Sequence, residues 1–197
     1  MVIDVHTHIV PEHFPALGGR LAGNAWPYMD HIAPGEANVM ISGRNFRTVV
    51  DRCWSVQRRL KEMPAEGIDQ QVLSPMPELL AYNMSPSDCL DLGRYLNETI
   101  ARMISESPDK FFGLGAVPMQ DPDLAAKELS TVRNMGLQGV ELLSNVKGEN
   151  IGAPQYRGFF KEAENLGLAI FVHSQHPSFT DRFVGPELLE NVLGFPI

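Results

Sequence analysis

The stretch FFGLGAVPMQDPDLAAKELSTVRNMGLQGVELLS, Phe111 to Ser144, holds one full strand-helix-strand repeat, and its reading decides the fold class. Its ends, FFGLGAVPM and LQGVELLS, are too short for helices and mostly apolar on both faces, as strands buried in a parallel sheet are. Between them Ala125, Leu129 and Val132 recur at helical spacing. Asp121 followed by Pro122 marks the start of that helix, a capping carboxylate before a proline at the first helical position.

The same grammar extends outward in both directions. Upstream, Ser85 and Pro86 open a second helix with a stripe of Cys89, Leu92, Leu96, Ile100, Met103 and Ile104, and DQQVLSPM precedes it as a further strand. Downstream, Phe159, Phe160, Ala163 and Leu166 form a third stripe, followed by the apolar run LAIFVHS. Strand starts at Phe111, Leu137 and Leu168 lie 26 and 31 residues apart, about one βαβ unit each. With MVIDVHTHIV at the beginning, five strands are legible, and the class is α/β with a parallel sheet. Residues from about 11 to 46 break the rhythm with prolines, glycines and polar residues and are expected to form an irregular inserted excursion. Arg47 to Glu66 then reads as helical, with Pro64 predicting an end near Met63.

Composition narrows the function classes. A 197-residue chain that is 44% hydrophobic and 20% charged supports one sizeable core. Its net charge of −8 and lack of basic runs argue against nucleic-acid binding. No apolar stretch approaches the roughly 20 residues of a membrane span. Cys53 and Cys89 stand in unrelated contexts, so neither a disulfide framework nor a cysteine zinc site is suggested. Asp4, His6 and His8 interrupt what would be the core of a signal peptide, which predicts a cytoplasmic protein.

Chemistry is concentrated at two strand ends. Residues i and i+2 of a strand point the same way, so Asp4, His6 and His8 share a face and two imidazoles converge. Neutral imidazole is a common metal ligand, although a lone His-x-His pair also occurs as satisfied strand histidines. The position at the C-terminal end of a first βα strand is where barrel enzymes build active sites. His173 ends the fifth apolar run at the corresponding edge and is the natural third ligand. His176, three residues on, reads as a pocket or surface residue, and His13 and His31 as unpaired loop histidines. Glu141 is left out of the ligand set, because a strand carboxylate at a polar barrel mouth needs no metal.

Asp4-Val5-His6-Thr7-His8 and Phe171-Val172-His173 do not stand alone. Phe46-Arg47 with Cys53-Trp54, GID-x₂-VLSPMP at Gly67 to Pro77, FFGLGAVPMQDP at Phe111 to Pro122 and GLQGVEL at Gly136 to Leu142 accompany them. Together they resemble the amidohydrolase-related family, that of the 2-amino-3-carboxymuconate-6-semialdehyde decarboxylases, almost end to end. The resemblance implies a (β/α)₈ TIM barrel, of which residues 1–197 supply the first five βα units as part of a single domain. It implies one divalent metal, zinc first, held by His6, His8, His173 and an aspartate at the end of strand 8, with a strand-6 histidine as acid/base; these last two fall in C-terminal units absent here. It also implies that Arg47 binds a substrate carboxylate. No strand-4 lysine is available for carbamylation, so the implied site is mononuclear. The sequence departs from the decarboxylase pattern at Ser174-Gln175-His176-Pro177 and at Pro64.

The expected activity is metal-dependent, non-oxidative decarboxylation of an unsaturated or aromatic carboxylic acid by a cytoplasmic enzyme, in a possible homo-oligomer. The alternatives are a hydrolase of a lactone, ester or amide using the same metal centre, and an inactive truncated fragment.

Overall fold

The computed structural model describes residues 1–16 and 26–174. In chain order the elements are β1 (Ile3–Ile9), β2 (Tyr28–Ala33), β3 (Glu36–Ile41), β4 (Arg44–Val50), α1 (Val56–Glu66), β5 (Gln70–Pro75), α2 (Pro86–Glu106), β6 (Phe111–Gly115), α3 (Pro122–Asn134), β7 (Gly139–Leu143), β8 (Asn145–Val146), β9 (Glu149–Asn150), α4 (Arg157–Leu166) and β10 (Ala169–His173). The main sheet is parallel with strand order β1-β5-β6-β7-β10. Each pair of sheet neighbours is joined through a helix, as parallel pairing requires. The sheet is strongly curled. Four strand spacings would put β1 and β10 roughly 19 Å apart in a flat sheet, yet the His6 and His173 rings lie 5.1 Å apart, centroid to centroid. This is the half-barrel that the strand-helix alternation predicts, with β1 and β10 as its outer strands among the described residues.

The helices pack their apolar stripes on the convex face. Leu92, Leu96 and Ile100 of α2, Leu129 and Val132 of α3, and Phe159 of α4 are all buried. The start signals hold: Ser85 Oγ accepts from Asp88 N–H and Asp121 Oδ1 from Leu124 N–H. Buried Asn97 fastens α2 to the sheet by accepting from Ala116 N–H at 2.6 Å and donating to Ala116 O at 3.0 Å. Close docking of β10 on β7 depends on Gly139, where an added Cβ would fall 2.1 Å from Ala169 O. No helix among the described residues is long and apolar enough to cross a membrane.

Two expectations are corrected. Residues 28–50 are not irregular: β2, β3 and β4 form an antiparallel three-stranded sheet. Its turns lie at Gly35 and at Ser42-Gly43, with positive φ at all three, as tight hairpins require. Ala37 and Val39 on the middle strand are buried, whereas β2 and most of β4 stay exposed, so the apolar signal was too weak to read. Arg47 is therefore a strand residue, and the helix begins only at Val56. Pro64 does not end α1, which runs to Glu66. It lies in the last turn, so it removes only one donor, to the carbonyl four residues earlier, and Gly67 closes that turn in the left-handed region, donating to Met63 O and Pro64 O.

Candidate metal centre

β1 carries the first two histidines into the concave side of the curl. The ring centroids of His6 and His8 are 4.9 Å apart and those of His8 and His173 5.2 Å apart. One donor atom from each of His6, His8 and His173 lies within 4.8 Å of the others. His6 Nε2 and His8 Nε2 approach to 3.1 Å. Two nitrogens bound at about 2.1 Å to one ion stand roughly 3.0–3.4 Å apart, so this spacing fits a shared cation.

The second nitrogens of His8 and His173 are occupied, as ligand histidines require. His8 Nδ1 lies 3.0 Å from Pro75 O and 3.1 Å from Ser74 Oγ, and His173 Nδ1 lies 2.6 Å from Ser174 O. Donation to these carbonyls leaves each Nε2 with a free lone pair. Burial, helped by neighbouring His6 and His173, pushes the His8 imidazole down to about 4, so it is neutral at neutral pH. Asp4 lies at the foot of the pair, where Oδ1 accepts from His6 N–H.

Arg47 reaches the same place from β4. A cavity of about 170 Å³ is lined by Arg47, His8 and His173 together with Val10, Val49 and Met76. The guanidinium sits 5.6 Å from the Phe46 ring and makes no ion pair or hydrogen bond among the described residues. A cation held free beside three imidazoles suits an incoming carboxylate.

Sequence reasoning missed Arg59 and the surroundings of Glu141, His13 and His31. Arg59 is buried on α1 and donates to His8 O at 2.6 Å and Gln71 Oε1 at 3.2 Å, tying helix to strand beneath the site. Burial lowers its guanidinium to about 10. The signal was available: Arg59 follows Val56 by three and precedes Met63 by four, on the buried face of the helix. Glu141 is fully buried on β7, where burial raises its carboxyl to about 8 against a partial counter-pull from Ser74. It lies outside the histidine cluster. Finally, His13 and His31 are not isolated: their rings are 5.1 Å apart, and His31 contacts Glu12 O and Trp54. His176 lies outside the described residues.

Comparison with known proteins matches the chain and its architecture to relatives. A family described as "Amidohydrolase" matches residues 3–194. The 2-amino-3-carboxymuconate-6-semialdehyde decarboxylase of Dictyostelium discoideum is 40% identical over 172 residues, 87% of this chain and 48% of that protein. A dihydroxybenzoic acid decarboxylase from Polaromonas, solved with bound manganese and the inhibitor 2-nitroresorcinol, superposes with a TM-score of 0.60 at 26% identity. It covers 66% of this chain and 42% of its own. The structure of an amidohydrolase II aligns over 99% of this chain and 57% of its own with a TM-score of 0.70; at 20% identity it speaks to the fold alone. The chain thus spans about half the length of the curated relatives it matches.

Proposed function

Because this chain belongs to the amidohydrolase family, we propose that it serves a metal-dependent carboxy-lyase acting on an unsaturated or aromatic carboxylic acid, with His6, His8 and His173 as metal ligands. The observation that carries this reading is the convergence of three imidazole donors within 4.8 Å, beside an arginine on the same cavity that has no ion-pair partner among the described residues. Relatives that decarboxylate 2-amino-3-carboxymuconate-6-semialdehyde and dihydroxybenzoic acid supply the substrate class.

Neutral imidazoles suit borderline divalent ions, Zn²⁺ first and Mn²⁺ as in the Polaromonas relative. When bound, the ion supplies a Lewis acid that polarises the substrate. The residues of the chain do the rest. Arg47 holds a substrate carboxylate bidentately and fixes the orientation of the unsaturated system. Val10, Val49 and Met76 exclude water from one wall of the cavity, which strengthens the charge interactions inside it. Pro75 O and Ser174 O keep the His8 and His173 rings turned so that Nε2 faces inward.

The test combines elemental analysis with release of CO₂ from 2,6-dihydroxybenzoate and from carboxymuconate semialdehydes, using the purified protein and a His6→Ala, His8→Ala double variant. One equivalent of metal, lost in the variant, and CO₂ from at least one acid are expected. Stoichiometric metal in the variant removes the ligand assignment. Cleavage of lactones or esters without CO₂ replaces decarboxylation by hydrolysis.

A further inference from the structure

We propose that Glu78 is a specificity-determining residue of the Arg47 cavity, its carboxylate accepting a hydrogen bond from a hydroxyl or amino group of the substrate while Arg47 holds the substrate's own carboxylate. The inference rests on the reading of that cavity as the substrate site. β5 ends at Pro75, and one short helical turn, Pro77–Leu80, follows it. From Leu73 to Tyr82 every residue is buried except Glu78, which is half-buried. Pro77, Leu79 and Leu80 seat the turn in the core. Glu78 is thus carried on packed backbone, the kind of mount that holds a recognition group in place before the ligand arrives.

What Glu78 faces gives the chemistry. It lines the cavity of about 170 Å³ that holds Arg47, His8 and His173, and it also lines a second one of about 230 Å³ with Tyr82, Asn83, Asn145 and Lys147. Opposite charges on one small cavity ordinarily pair. Here they do not: Glu78, like Arg47, makes no ion pair or hydrogen bond among the described residues. The first cavity is smaller than the roughly 300–1,000 Å³ of pockets for drug-sized ligands, so one small molecule meets both charges. Arg47 takes an anionic end bidentately. Glu78 has only acceptor oxygens to offer and calls for an O–H or N–H on the same framework. A substituent without a proton leaves this half-buried carboxylate desolvated and unpaired, which disfavours binding. The substrate class narrows accordingly, from unsaturated or aromatic acids in general to those that also carry a hydroxyl or amino group.

Calorimetric titration of the Mn²⁺-loaded protein with 2,6-dihydroxybenzoate and with 2,6-difluorobenzoate, a near-isostere that donates no proton from its ring substituents, reads the discrimination. The parent should bind the dihydroxy acid about 10-fold or more tighter, as a hydrogen bond to a charged group provides. Glu78→Leu should narrow that ratio by about threefold or more, through weaker binding of the dihydroxy acid alone; the difluoro acid then serves as the control for an intact cavity. Glu78→Gln, which keeps an acceptor oxygen without the charge, should fall between parent and Glu78→Leu. A parent that does not discriminate, or a Glu78→Leu ratio narrowed by less than about threefold, overturns the inference and leaves Arg47 and the three histidines as the site. If Glu78→Leu binds neither acid, Glu78→Gln decides: a narrowed ratio supports the inference and an unchanged one overturns it. A parent that binds neither acid removes the carboxylate-site reading, and this inference with it.

Discussion

Gly139→Ala tests whether strand packing, rather than histidine spacing alone, builds the site. An alanine Cβ at this position falls 2.1 Å from Ala169 O, about 1 Å inside the closest tolerable carbon-oxygen contact. The obstacle is backbone, so no side chain can swing aside, and β10 must move away from β7. Overpacking of this kind costs typically 1–3 kcal/mol, and because backbone must shift the expected cost is about 3 kcal/mol. For a domain of this size that corresponds to a melting temperature lower by roughly 6–12 °C. Displacement of β10 carries His173 with it, so metal affinity should fall although His6 and His8 are untouched. Gly158→Ala is the matched control. Gly158 is exposed in the first turn of α4 with nothing within 4 Å of an added Cβ, and alanine there should stabilise by about 0.4–1 kcal/mol. The two variants change the same atoms with opposite expected signs. Differential scanning fluorimetry and Mn²⁺ titration of both read the outcome. A Gly139→Ala protein that melts within about 2 °C of the parent, or binds metal as tightly, would refute the reasoning.

Three further outcomes follow from the geometry. Arg47→Lys keeps the charge but loses the planar fork, so KM for a carboxylated substrate should rise by about tenfold with metal content unchanged; unchanged kinetics remove Arg47 from substrate binding. Asn97→Leu leaves the buried Ala116 N–H and C=O unpaired and should cost about 2–4 kcal/mol in urea denaturation, with loss under 1 kcal/mol counting against the contact. In the metal-free protein His8 is held at about 4 from an ordinary 6.5, chiefly by burial. Because the unfolded chain takes up the proton first, stability falls as pH drops from about 6.5 to 4, by up to roughly 3 kcal/mol; a His8→Gln variant with an equally steep profile would contradict this.

Much of the fold was local in origin and so legible. The alternation of apolar runs with 3.6-residue stripes, and the caps at Ser85 and Asp121, are set by residues within one turn or strand of each other. Two-residue periodicity put His6 and His8 on one face before any tertiary information was needed. The three-stranded sheet of β2 to β4 escaped notice because its outer strands are mostly exposed and carry little apolar alternation. Pro64 misled because a proline is read as a helix stop, while the Gly67 cap and the packing of Met63 hold the final turn.

What the sequence by itself determined, then, is the order of elements and which histidines stand at strand ends. Only the tertiary structure decided how those ends meet. Sheet curl closes a gap of four strand spacings between His6 and His173, and it does so through contacts such as Gly139 against Ala169 that join residues 30 positions apart. The same long-range packing places Arg59 under His8 across 51 residues and Glu141 behind the His8 ring. Burial is a property of the assembled neighbours rather than of the residue. The depth at which Arg59 and Glu141 are buried therefore shows only once the sheet has folded around them.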